Sequence, residues 1–177
     1  MKTLIVIDMQ NDFIDGPLGT PEAVAIVPKV KKKVEEYVSR GDEIIFTQDT
    51  HDSDYLHTQE GRKLPVEHCI ADTKGFDVCD ALINNYYNYD NAYCIIKHSF
   101  GYKNWDYWEE EVNASESIEL VGVCTDICVV SNALILKANF PETEITVDAS
   151  CCAGTTPENH KAALQVMKRC QINVIGE

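Results

Sequence analysis

The sequence predicts an α/β fold in which a parallel sheet is covered by helices on both faces. Short β-branched apolar runs recur along the chain, amphipathic stretches of helical period lie between them, and no Gly/Ser/Pro-rich linker or internal repeat divides it. Continuous apolar runs suit strands buried on both faces, and strand, helix, strand in alternation implies right-handed crossovers. With 177 residues, 45% of them apolar and 25% charged, the chain is expected to form a single domain over residues 1–177. A chain of this length buries roughly 70% of the surface it exposes when unfolded.

The first predicted strand is Leu4 to Ile7. The face Val27, Val30, Val34, Tyr37 and Val38 predicts a helix, with Pro28 in its first turn and Gly41 past its end. A strand at Glu43 to Thr47 follows. The polar stretch Thr50 to Thr73 is long for a structureless connection, which marks it as part of a site. Tyr86-Tyr87-Asn88-Tyr89 reads as surface, and Tyr93 to Ile96 and Ile118 to Val123 as strands. Thr125 is placed as the N-cap of a helix with Cys128 in its first turn. Ala133 to Ala138 and Ala162 to Met167 read as helical, Glu144 to Val147 as a strand, and Asn173 to Ile175 as a last strand. Trp105 and Trp108 are assigned to packing.

Fifteen Lys and Arg stand against 29 Asp and Glu, a formal charge of -14. Such a chain repels phosphate backbones and anionic bilayers, so neither nucleic acid nor a membrane is expected as a partner. Four apolar residues before Asp8 are too few for a signal sequence, which predicts a cytoplasmic protein. Its eight cysteines are then expected to be reduced; the chain is too long to need a disulfide framework.

Ligands of an open parallel sheet bind beyond the carboxyl ends of its strands. Asp8 ends the first run, Asp49 follows the second, Lys97 ends the third, and Cys128 lies just past the fourth. One edge of the sheet therefore gathers two carboxylates, a cation and a thiol. A free thiol is only a few per cent thiolate at neutral pH, so a nucleophilic Cys needs help of the kind a helix N-terminus or a Lys supplies. From the local sequence alone, Cys128 can equally be a buried small hydrophobe.

Val6-Ile7-Asp8-Met9-Gln10-Asn11-Asp12-Phe13 and Gly122-Val123-Cys124-Thr125-Asp126-Ile127-Cys128-Val129 resemble the two signature segments of the isochorismatase-like cysteine hydrolases, and within them the nicotinamidases. The resemblance runs from Thr3 to about Val174. It implies a three-layer α/β/α sandwich around a mostly parallel, Rossmann-like sheet. It also implies a catalytic triad of Asp8, Lys97 and Cys128, with Cys128 as nucleophile, Asp8 as proton shuttle and Lys97 as electrostatic partner. The backbone N–H groups of Cys124 and Cys128 would form the oxyanion hole, and the peptide bond between Val123 and Cys124 would be cis.

Asp49, His51 and His68 resemble the metal site of nicotinamidases, so the resemblance implies a divalent metal, zinc or iron, and no organic cofactor. His57 and Glu60 share the same stretch and could serve as extra ligands, but are expected to be solvated. Nicotinamidases usually have Trp-Pro just before the third ligand. Here the run is Leu64-Pro65-Val66-Glu67-His68, and Phe13, Leu64, Phe100 and Tyr102 are expected to line the pocket. The implied activity is hydrolysis of a small carboxamide through a cysteine thioester, nicotinamide to nicotinate and ammonia first, by a homo-oligomer. The alternatives are an amidase or ureido-hydrolase acting on another small amide, and a non-catalytic binding module.

Overall fold

The computed structural model describes residues 2–108 and 116–177. Six strands, β1 (Thr3–Ile7), β2 (Glu43–Asp49), β3 (Ala92–Lys97), β4 (Ser117–Val123), β5 (Glu144–Ala153) and β6 (Asn173–Ile175), form one sheet in the order β3-β2-β1-β4-β5-β6. Every pairing in it is parallel. The chain builds outward from β1 to β3 and returns to the other side of β1 with β4, which puts the topological switch point between β1 and β4.

Side chains alternate across a strand, and that period of two divides the core. Leu4, Val6, Ile44 and Phe46 face one layer, where they meet Ile26, Val30 and Val34 of helix α2 (Pro21–Arg40). Ile5, Ile7 and Ile45 face the other. There they pack with Leu136 of α5 (Val130–Asn139) and with Leu164 and Met167 of α6 (Pro157–Arg169). The result is the three-layer α/β/α sandwich that the resemblance implies. Among the described residues the remaining α-helices are short: α1 (Asn11–Ile14), α3 (Gln59–Lys63) and α4 (Ile83–Asn88).

Two expectations need correction. Helix α2 begins at Pro21 rather than near Pro28, which lies inside it. The Thr20 hydroxyl accepts the Ala23 N–H at 3.0 Å and Pro21 opens the first turn, a stronger start signal than an isolated proline. Pro28 is exposed, so water can serve the Val24 carbonyl that a proline nitrogen cannot. The second is the tyrosine run, which is largely helical and only partly surface. Tyr87 is exposed, whereas the Tyr86 hydroxyl donates to Gln48 Oε1 at 3.2 Å and the Tyr89 hydroxyl to the Asp42 carbonyl at 2.6 Å.

Gly122 has φ +118, and a Cβ there would lie 2.1 Å from the Ile7 carbonyl oxygen of the neighbouring strand. Gly41, the C-cap of α2, has φ +73 but open space around it. Gly41→Ala should therefore cost about 1 kcal/mol, the left-handed penalty alone. Gly122→Ala must also push β1 and β4 apart, and a loss of about 3 kcal/mol would lower Tm by roughly 6–12 °C. Thermal unfolding of both variants checks this; equal shifts would contradict the close approach.

Candidate active site

Parallel register delivers the charged strand ends to one place. Asp49 pairs with Lys97 across β2 and β3, and Ile7, the residue before Asp8, pairs with Thr47. Asp8 adopts the left-handed region, φ 47, at a residue type that tolerates it. Its Oδ1 accepts the Thr47 hydroxyl at 2.6 Å, and its Oδ2 lies 2.7 Å from Lys97 Nζ. The same ammonium is 3.2 Å from Asp49 Oδ1 and 3.8 Å from Cys128 Sγ. All four side chains are buried.

Burial pushes the Asp8 carboxyl above its ordinary range, and Lys97 offsets this only in part. Asp49 stays below that range: burial alone would raise it, but His51 and Lys97 hold it down. Burial would lower Lys97, yet Asp8, Cys128 and Asp49 together raise it, so it remains a cation. Burial, and then the negative charge of Asp8, push the Cys128 thiol well up. Asp8 Oδ2, although beside the ammonium, accepts no well-aligned hydrogen bond. The buried thiol thus stays neutral at rest, with the Asp8 carboxyl and the Lys97 ammonium as its charged neighbours.

Cys128 lies in a π-helical turn, Thr125–Val129, closed by the Val129 N–H on the Cys124 carbonyl at 3.0 Å. The Val123–Cys124 peptide is cis, as the resemblance implies. Thr125 is not the cap: Cys124 holds that position without a side-chain cap, and the Thr125 hydroxyl instead meets His160 Nδ1 at 2.8 Å. Widening the turn by one residue moves the boundary back by one. Sequence reasoning missed Asn132, which is fully buried. Its amide donates to the Cys128 carbonyl at 2.8 Å, and its Oδ1 accepts from Trp105 Nε1 at 3.0 Å and from the Tyr102 N–H at 2.9 Å.

Asp49, His51, Glu60 and His68 bring one ligand atom each to within 4.8 Å of one another. His51 Nε2 is 3.0 Å from Asp49 Oδ2 and 3.6 Å from Glu60 Oε1; His68 Nε2 is 3.7 Å and 3.8 Å from the same two atoms. Donors held tetrahedrally at zinc distances sit about 3.4 Å apart, so the cluster fits a divalent ion. His68 Nδ1 lies 2.8 Å from the Val66 carbonyl, which can only accept. That bond fixes the tautomer and leaves the Nε2 lone pair facing the cluster.

Glu60, expected to be solvated, is half-buried and belongs to this group, because Thr58 caps α3 through the Gly61 N–H and turns Glu60 inward. His57 is exposed and lies outside it. Two residues that sequence reasoning missed hold the cluster in place. The buried Gln10 amide clamps the Asp49 backbone on both sides at 2.8 and 2.9 Å, and Asp12 Oδ2 accepts the Cys69 N–H at 2.8 Å.

A cavity of about 320 Å³ opens onto Cys128, Asp49 and His68, walled by Phe13, Leu64 and Phe100 among others. Its described lining residues include no Lys or Arg. Tyr102, expected in the wall, is not there; its ring packs edge-on against Trp105 at 5.3 Å, and its backbone is tied to Asn132.

The family model for the isochorismatase domain matches residues 2–176. An Arabidopsis thaliana protein described as a probable inactive nicotinamidase is 32% identical over 180 residues, covering 93% of this chain and 87% of its own. The solved pyrazinamidase/nicotinamidase of Streptococcus mutans is 30% identical with a TM-score of 0.84, covering 99% of this chain and all of its own. The pyrazinamidase of Pyrococcus horikoshii in complex with zinc is 26% identical with a TM-score of 0.81, covering 99% of each chain.

Zinc titration of the metal-stripped chain should load one ion per chain and raise Tm, since a ligand that binds only the folded state stabilises it. His51→Ala and His68→Ala should each weaken binding by about tenfold or more, with Glu60→Gln weaker in effect. Calorimetry reads the affinities. Unchanged affinity in the His68→Ala variant would reject the cluster as a metal site.

Proposed function

The chain belongs to the isochorismatase family, and from that membership and the geometry of its strand ends we propose that it hydrolyses nicotinamide to nicotinate and ammonia through a thioester on Cys128. The observation that carries this reading is the Lys97 ammonium, 2.7 Å from Asp8 Oδ2 and 3.8 Å from Cys128 Sγ, beside an apolar cavity. Asp8 takes the thiol proton as Sγ attacks the carboxamide carbon. The C–S bond forms and the carbonyl electron pair moves to oxygen, facing the N–H groups of Cys124 and Cys128. Each such donor is worth about 2.7–4 kcal/mol of barrier in acyl transfer.

Asp8 then delivers the proton to nitrogen, the C–N bond breaks, and ammonia leaves. Asp8 next deprotonates a water, which attacks the thioester; the C–O bond forms, the C–S bond breaks, and the proton returns to sulfur. Lys97 keeps its charge throughout and offsets the negative charge that passes between Asp8 and Cys128. Asp49, Glu60, His51 and His68 would hold the divalent ion, zinc or iron, which when bound supplies a Lewis-acidic anchor for a pyridine nitrogen. A cavity whose described lining carries no Lys or Arg favours an uncharged amide over a substrate bearing a carboxylate.

Leu64, 38% exposed, and Phe100, 46% exposed, both line the cavity. A flexible aliphatic side chain in place of an indole favours, as a second reading, another small uncharged amide. A panel of carboxamides assayed for ammonia release separates the two.

Cys128→Ala should lower turnover by about 10⁴-fold or more with Tm retained, and substantial ammonia release by that variant would sink the thioester. Asp8 must be ionised to accept a proton, and burial raises its pKa. Below that raised value the carboxyl is protonated and idle; above it the base is available. The acid limb of kcat/KM should accordingly lie above the ordinary carboxylate range, and a limb within that range would argue against Asp8 as the base.

A further inference from the structure

We infer that His160, through its hydrogen bond to Thr125, is a positioning residue that holds the Cys124–Cys128 turn in the geometry the reaction needs. The inference rests on the reading of Cys128 as nucleophile with the N–H groups of Cys124 and Cys128 as oxyanion donors. Thr125 lies between those two donors, is fully buried, and contacts the imidazole Nδ1 at 2.8 Å through its hydroxyl.

The turn has little to hold it from within. Its π-helical closure spans five residues, and Cys124 offers no side-chain cap. At its Cys128 end the Asn132 amide holds the carbonyl at 2.8 Å; at its Thr125 end the restraint comes from the segment that ends β5 and opens α6. Asp126 accepts the Thr155 N–H at 2.8 Å and the Thr155 hydroxyl at 2.6 Å, while Thr125 is bound by His160. His160 itself has little room to move. Its N–H donates to the Thr156 carbonyl at 2.9 Å, and the Thr156 hydroxyl accepts the Asn159 N–H at 3.1 Å. A Cβ at Gly154 would lie 2.9 Å from both His160 N and His160 Cβ. Burial keeps the imidazole pKa below its ordinary value against the pull of Asp126 and Glu177, so the ring is neutral at pH 7. Either neutral tautomer can bond the hydroxyl.

Oxyanion donors act over tenths of an ångström, and a misplacement near 1 Å costs about 10²-fold in rate. A staple that merely stabilised the fold would change Tm and leave turnover per intact site alone. Thr125→Val keeps the shape of the side chain and removes the hydroxyl; Thr125→Ser keeps the hydroxyl; His160→Ala removes the partner. Ammonia release from the carboxamide best turned over by the wild type is measured per alkylatable Cys128. The expected result is a fall in kcat of about tenfold or more in Thr125→Val and in His160→Ala, with KM nearly unchanged and no further fall in the double variant. Thr125→Ser should restore most of the rate. Wild-type kcat in Thr125→Val, or single losses that multiply in the double variant, would overturn the inference. Turnover retained in Cys128→Ala would instead reject the thioester reading, so the two failures are distinguishable.

Discussion

A lysine ammonium shared by two carboxylates and a thiol, all out of water, is the constraint around which the sheet is organised. Removing such an ion from solvent costs several kcal/mol unless its partners are well placed, and removing one partner strands the rest. Lys97 is raised by its three neighbours despite burial, which requires β1, β2 and β3 to deliver their ends in register and β4 to return beside β1. Asp49 joins this group to the metal-ligand cluster, with Oδ1 on Lys97 and Oδ2 on His51. The proposed nucleophilic and metal-binding halves are therefore one electrostatic unit. Lys97 with Asp8 and Asp49 carries a net negative charge that a bound cation would offset.

The acidic and thiol-rich composition reads differently once placed. All eight cysteines are free. Cys124 shares the cavity with Cys128, but burial pushes its thiol up to about 12. Cys128, by contrast, has the Lys97 ammonium 3.8 Å from its sulfur. Position beside an ion pair, rather than thiol acidity at rest, is what distinguishes one sulfur from the other.

The strands were legible because sheets buried on both faces demand unbroken apolar runs, and their charged ends followed from the rule for open parallel sheets. What escaped was set by contacts distant in sequence. Gln10 and Asp12 look like ordinary polar residues until they clamp Asp49 and Cys69. Asn132 is a polar residue in an apolar helix, with no local sign that it would bridge Cys128 to Trp105. Glu60 turned inward because Thr58 caps a helix of one turn, a signal too short for periodicity to show. Tyr102 was misplaced because an aromatic near the site has two sinks, the cavity and the neighbouring indole, and the hydrogen bond from its backbone to Asn132 selects the second. The Thr20-Pro21 start of α2 was readable and lost to the more conspicuous Pro28.

The central claim is that the acyl group passes through Cys128. Rapid acid quench of the enzyme during turnover of nicotinamide, followed by peptide mass spectrometry, tests it most directly. The account predicts a nicotinoyl adduct on the peptide carrying Cys128, absent without substrate. Undiminished turnover after quantitative alkylation of Cys128, with the acyl group on another residue or on none, would contradict it.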